Sequence, residues 1–188
     1  MTKRISLVEK AHDVIRAHLQ EGDAAIDATL GNGYDTLFLA RCVGKSGHVY
    51  GFDIQVEALQ ATRARLLEHG MLHRATLFLA SHAQMTKHVS QQVQAIMFNL
   101  GYLPGADKSI ITRSDTTLSA LALACQLLAA QGVMTVTAYP GHVGGDEEAS
   151  RIQQWLQQLN PGQYQSQLIV SQHHQLRAPR LFIIRKVA

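Results

Sequence analysis

The chain has 188 residues, 46% of them apolar and 16% charged, a composition that suits a soluble globular fold and excludes a disordered or fibrous one. The formal charge of +3 is compatible with a nucleic-acid partner but is spread along the chain and does not require one. Cys42 and Cys125 both sit in apolar helical patterns, which argues against a disulfide framework or a metal site; with no apolar run long enough to span a bilayer, the expected location is the cytoplasm.

In chain order, Ser6-Leu7-Val8-Glu9 is a capping box, and Leu7, Ala11, Val14, Ile15 and Leu19 repeat at helical spacing. A first helix is predicted to about Gln20, stopped by Gly22. A strand follows over Ala24 to Ala28, then a glycine-rich loop, Thr29 to Gly33, and a helix from Asp35 to just before Gly44. The second strand, His48 to Asp53, ends in an acid. A helix over Val56 to His69, a third strand over Ala75 to Ala80 and a short helix over Gln84 to Val89 come next. Val93 to Leu100 is a strand because Ala95-Ile96-Met97-Phe98 is an unbroken apolar run. A loop from Gly101 leads to a strong helix over Ser114 to Ala130, and the fifth strand is Val133 to Ala138. A loop through Tyr139 and His142 precedes a helix over Asp146 to Leu159, with Trp155 in the core. Gly144-Gly145 reads as a flexible turn before an acidic first helical turn. Tyr164 to His173 and Leu181 to Val187 are the last two strands, joined by His174 to Arg180.

Strand and helix alternate, so right-handed crossovers give an α/β fold with a mostly parallel sheet covered on both faces. No helix separates the last two of the seven strands, which therefore pair antiparallel. Residues 1–188 read as a single domain, with no repeat, linker or low-complexity tract.

The chemistry centres on Asp27-Ala28-Thr29-Leu30-Gly31-Asn32-Gly33, where a buried strand ends in an acid and a glycine turn opens a helix. Such a turn lets a nucleotide-like ligand approach the backbone closely. Asp53, ending the second strand beside it, can accept hydrogen bonds from both ribose hydroxyls of an adenosine. Thr36 stands where a dinucleotide fingerprint needs its third glycine. No Gly-Lys-Ser/Thr follows the glycines, so a phosphate loop is excluded. A carboxylate at Asp27 suits a ligand carrying an ammonium and a sulfonium rather than a pyrophosphate. S-adenosylmethionine is the expected cofactor, held by Asp27, Thr29, Gly31, Asn32, Gly33, Asp35, Thr36, Asp53, Ile54, Gln55, Ser81, His82 and Asn99.

Asn99 ends the fourth strand. Its side-chain oxygen, with the Leu100 carbonyl, could accept hydrogen bonds from an amine and aim its lone pair; the alternative is that Asn99 only caps the following loop. Tyr102 could stack on a target base or simply pack the loop. His82 could contact the cofactor, take a proton from the product, or be structural. Asn99, Tyr102 and His82 are the catalytic candidates. Leu100, Gly101, Tyr102, Pro104, Lys108, Tyr139 and His142 are the substrate-side candidates. Lys108, Arg113, Arg177 and Arg180 could meet phosphates or be solvated.

These segments, together with Phe98-Asn99-Leu100-Gly101-Tyr102-Leu103-Pro104-Gly105-Ala106-Asp107-Lys108 and Tyr139-Pro140-Gly141-His142-Val143-Gly144-Gly145-Asp146-Glu147-Glu148, resemble the class I, Rossmann-like methyltransferases. More narrowly, the chain is similar to a small bacterial family labelled rRNA methylases, whose members are associated with tRNA wobble-uridine modification. It departs from that pattern at Ala83, where an acid is expected, and at Ala106, where glycine is common. The resemblance implies methylation of the amine of 5-aminomethyl-2-thiouridine to give 5-methylaminomethyl-2-thiouridine, in the anticodon region of tRNA, by a homodimer. The competing readings are an rRNA methyltransferase, a small-molecule amine methyltransferase, and a non-catalytic cofactor-binding module.

Overall fold

The computed structural model describes residues 6–101, 114–141, 144–170 and 178–187. Helix α1 (Leu7–Arg16) starts at the expected capping box: Glu9 N–H donates to Ser6 Oγ at 3.1 Å, and Ser6 N–H donates to Glu9 Oε2 at 2.6 Å. It ends four residues before the predicted stop, in a turn held by the Ile15 carbonyl. Then come β1 (Ala24–Asp27), α2 (Tyr34–Cys42), β2 (His48–Asp53), α3 (Val56–Glu68) and β3 (Ala75–Leu79). A single 3₁₀ turn, His82–Gln84, runs into α4 (Met85–His88), and β4 (Val93–Asn99) follows. The chain continues through α5 (Ser114–Leu127), β5 (Leu128–Ala138), α6 (Gly145–Leu156), β6 (Tyr164–Val170) and β7 (Arg180–Lys186).

The seven strands form one sheet in the order β3-β2-β1-β4-β5-β7-β6. The first five are parallel, and β7 is antiparallel to both β5 and β6, as predicted. From Ala95 onward, side chains alternate along β4. Ala95 and Met97 join Ala11, Ile15, Leu39 and Leu66 in one apolar cluster, under α1, α2 and α3. Ile96 and Phe98 join Met85, Leu121, Ala124 and Ile152 in the other, under α4, α5 and α6. The central strands are thus buried on both faces, which is why they read as continuous apolar runs. Trp155 is half-buried against the second cluster, a lesser burial than predicted.

The largest departure from the sequence reading is the end of α5. The helix stops at Leu127 rather than Ala130, and β5 begins at once, with Gln131 at φ 60° and a register shift opposite Val93 to Ala95. Two side chains from the last hairpin close the helix: Tyr164 Oη donates to the Cys125 carbonyl at 3.2 Å, and Lys186 Nζ donates to the Leu128 carbonyl at 2.8 Å. A cation at a helix C-terminus is favourable, and these residues lie far along the chain. Arg180, predicted to be in a loop, is the first residue of β7.

The acidic start of α6 is also partly buried. Glu148 accepts from Thr117 Oγ1 at 2.7 Å, and Arg151 bridges Ser114 and Asp115 of α5, each at 2.6 Å. Gly144, at φ 80°, caps the helix, and Gly145 is its first residue. No helix among the described residues is long and apolar enough to cross a membrane.

Candidate functional site

In a sheet of this order, the crossovers leaving β1 and β4 run in opposite directions. Ligands bind in the crevice beyond the carboxyl ends of such neighbouring strands. The residues ending β1, β2 and β4 are Asp27, Asp53 and Asn99, so three of the predicted side chains stand along one edge.

The loop after β1 is held from below and from the side. Asp27 is fully enclosed; its carboxylate accepts from the Thr29 N–H at 3.1 Å and from Thr36 Oγ1 at 2.5 Å. Burial raises its pKa well above the usual carboxylate range, and the negative charges of Asp35 and Asp53 raise it further. Asp27 therefore shapes the loop and sets its field from beneath. Asp53 accepts from the Gly31 N–H at 3.1 Å through Oδ2 and from the Gln55 N–H at 3.0 Å through Oδ1. Each oxygen keeps a further lone pair for a ribose hydroxyl.

Gly33 is in the left-handed region at φ 77°, where it caps α2, and a Cβ there would lie 2.7 Å from Thr62 Cα. The close approach of α3 to the loop explains why glycine is required. Thr62 Oγ1 donates to the Gly31 carbonyl at 3.4 Å, and Arg65 Nε donates to the Asn32 carbonyl at 2.7 Å while its guanidinium lies 3.6 Å from the Tyr34 ring centre. Thr62 and Arg65 were not singled out from sequence. The available signal was a threonine between Ala58 and Leu66, at the i and i+4 spacing of an otherwise apolar face.

On the substrate side, Thr29 Oγ1 accepts from the Asn99 backbone N–H at 2.7 Å, tying the cofactor loop to the end of β4. The Asn99 side chain lies beside Asp35, with Nδ2 donating to Oδ2 at 3.4 Å. A carboxylate only accepts, so this contact assigns the amide: nitrogen toward Asp35, carbonyl oxygen away. Asp35 also accepts from His12 Nε2 at 2.7 Å. Tyr139 is half-buried nearby; burial raises its phenol pKa and the Asp35 charge raises it further. The Leu100 side chain is part of the core, so only its backbone is available to a substrate.

His82 is buried, with Nδ1 3.3 Å from the Ala28 carbonyl and its ring edge-on to Phe98. The carbonyl can only accept, so Nδ1 carries the proton and Nε2 is the acceptor. Among the described residues, Nε2 has no hydrogen-bond partner, a buried acceptor suited to a ligand N–H or O–H. Burial lowers its pKa, keeping the ring neutral. Ser81 caps the 3₁₀ turn by accepting from Ala83 N–H at 3.2 Å, and Ile54 is exposed at the rim. Tyr102, Pro104, Lys108, Arg113, His142 and Arg177 lie outside the described residues. Among the described residues, no group of three or more His, Cys, Asp or Glu side chains could hold a metal.

A seven-stranded sheet of this order, with an acid-lined glycine loop at its switch point, defines a Rossmann-like fold of the methyltransferase type. A family model described as "Putative rRNA methylase" matches residues 49–185, and the chain belongs to that family. The chain is similar to a "putative rRNA-methylase" of Clostridium thermocellum, with 40% identity, a TM-score of 0.94, and coverage of 99% of this chain and 100% of that one. A "putative methyltransferase" from Streptococcus mutans, solved in complex with SAH, is 34% identical, with a TM-score of 0.88 and 99% coverage of both chains. The chloroplastic tRNA (mnm(5)s(2)U34)-methyltransferase of Arabidopsis thaliana is 43% identical over 156 residues, covering 77% of this chain. Those residues span 57% of the plant protein, little more than half its length.

Proposed function

We propose that this chain is an S-adenosylmethionine-dependent methyltransferase acting on the amine of 5-aminomethyl-2-thiouridine at the tRNA wobble position. The observation that carries the reading is Asn99. Its amide nitrogen faces Asp35, which leaves its carbonyl oxygen to accept from an amine N–H at the end of β4, beside the acid-lined loop. The Asp27 and Asp35 carboxylates complement the ammonium and sulfonium of the cofactor, and Asp53 accepts from its ribose hydroxyls. The name and 43% identity of the plant relative support a tRNA substrate, and the SAH complex of the Streptococcus mutans relative supports the cofactor.

The reaction is an in-line displacement. The uncharged amine attacks the methyl carbon; a C–N bond forms as the C–S bond breaks, and the sulfonium leaves as a neutral thioether. The new ammonium then loses a proton to water. Most of the rate gain comes from holding the lone pair in line with the methyl and the sulfur. The Asn99 carbonyl oxygen and the Leu100 backbone carbonyl aim that lone pair. His82 Nε2 accepts from the cofactor side, Tyr102 stacks on the base, and Tyr139 and His142 shape its pocket. Gly101 and Pro104 contact the substrate, and Lys108 meets phosphate. The active form is a cytoplasmic homodimer; sedimentation tests the dimer.

The deciding assay is transfer of labelled methyl from S-adenosylmethionine to tRNA carrying 5-aminomethyl-2-thiouridine, with loss of label on Asn99→Ala. Transfer to rRNA or to free amines in place of that tRNA would overturn the substrate assignment. In a deletion strain, the aminomethyl nucleoside should accumulate and its methylated product should disappear.

A further inference from the structure

We infer that His12, on α1 and outside the cofactor loop, is a positioning residue that sets the orientation of the Asn99 amide through Asp35. The inference rests on the role proposed above for Asn99.

Three contacts carry it. The Asn99–Asp35 hydrogen bond is 3.4 Å long and therefore weak, so by itself it does little to hold the amide in one of its two flipped orientations. Its effect depends on Asp35 being fixed. The 2.7 Å bond from His12 Nε2 to Asp35 Oδ1 does this, holding the other carboxylate oxygen. The His12 ring is in turn stacked face to face on Phe38 of α2, with centroids 3.9 Å apart and planes 5° from parallel. Arg16, one turn further along α1, places its guanidinium 5.3 Å from the same Phe38 ring centre. The imidazole is thus held flat with its Nε2–H aimed at the carboxylate. Ala11 and Ile15, both buried against the sheet, fix α1 itself. The line of support runs from core to α1, to His12, to Asp35, and ends at the amide whose oxygen aims the amine.

The test uses the full chain carrying His12→Ala, His12→Gln and His12→Phe. Glutamine places an N–H donor where Nε2 lies; phenylalanine keeps the stack on Phe38 without the donor. His12→Ala and His12→Phe should lower kcat about 10-fold while the cofactor Kd moves less than about twofold, and His12→Gln should recover most of the loss. In an Asn99→Ala background, His12→Ala should cost nothing further, because the residue it acts through is gone. A readout independent of turnover is the ¹⁵N–¹H side-chain amide signal of Asn99, identified by its absence in Asn99→Ala. That signal should shift in His12→Ala and His12→Phe and return in His12→Gln. An unmoved amide signal with unchanged kcat in His12→Ala, recovery by phenylalanine rather than glutamine, or an equal loss in the Asn99→Ala background would each overturn the inference. If Asn99→Ala itself keeps the parental kcat, the reading of Asn99 fails instead, and the amide signal still reports whether His12 orients it.

Discussion

Replacing Asp27 by asparagine should move stability and cofactor affinity in opposite directions. The carboxylate is completely enclosed and carries two hydrogen bonds, from Thr29 N–H and Thr36 Oγ1. Asparagine keeps the shape: its oxygen accepts from Thr29, and its NH₂ donates to the Thr36 hydroxyl, which can reverse its role. What disappears is a buried charge that faces two further acids and, among the described residues, has no cation beside it. A buried unpaired charge costs several kcal/mol, part of which the parent avoids by taking up a proton, so the unliganded variant should gain about 1–2 kcal/mol. For a chain of this size, that is roughly 3–6 °C in Tm. On the proposed binding mode, S-adenosylmethionine loses a carboxylate that complements its cations, about 1–2 kcal/mol, or roughly 5- to 30-fold in Kd. SAH lacks the sulfonium charge and should lose less. The pH dependence follows from the raised pKa. The folded parent binds a proton more readily than the unfolded chain, so its stability rises as pH falls through the raised folded pKa toward the unfolded value, and the gap to Asp27→Asn closes there. Calorimetric unfolding of both proteins between pH 8 and 5, alone and with each ligand, measures all three effects. A lower Tm for the variant with unchanged ligand affinity would refute the reasoning and make Asp27 a purely structural anchor.

Other positions give independent checks. Gly33→Ala places a methyl on Thr62 Cα at a positive φ and should cost about 2–3 kcal/mol, lowering Tm by roughly 5–10 °C; an unchanged melt would mean that the loop and α3 separate easily. His82 has a lowered pKa, so the unfolded chain binds the proton more tightly and stability should be lost as pH falls below about 6.5. His82→Asn, which keeps a donor for the Ala28 carbonyl but does not titrate, should flatten that slope in urea unfolding followed from pH 7.5 to 5. Asn99→Ala should lower kcat by about 100-fold or more while leaving cofactor Kd within a few-fold, read by single-turnover methyl transfer.

Most of the architecture was legible in the order of residues. The unbroken apolar run of β4, the capping box at Ser6 and the glycine turn at Gly31 to Gly33 are local patterns, and each forms as its pattern predicts. The placement of Asp27, Asp53 and Asn99 was legible for the same reason: a polar residue ending an apolar strand in a parallel sheet stands at its carboxyl edge. The end of α5 was not legible, because Tyr164 and Lys186 supply its closing hydrogen bonds from about 40 and 60 residues away. Nothing near Leu127 in the chain announces them.

The same division runs through the site. Sequence by itself determined the class of cradle, since a glycine turn after a strand and before a helix has few physical uses, and it placed the acids beside that turn. Only the tertiary structure decided what each carboxylate does. Asp27 is sealed beneath the loop, Asp53 accepts from the loop backbone, and Asp35 stands between His12 and Asn99. Those differences depend on which helices close over the loop, and α1 and α3 reach it from opposite directions along the chain. Long-range packing, which no local spacing encodes, assigns three chemically identical groups three different roles.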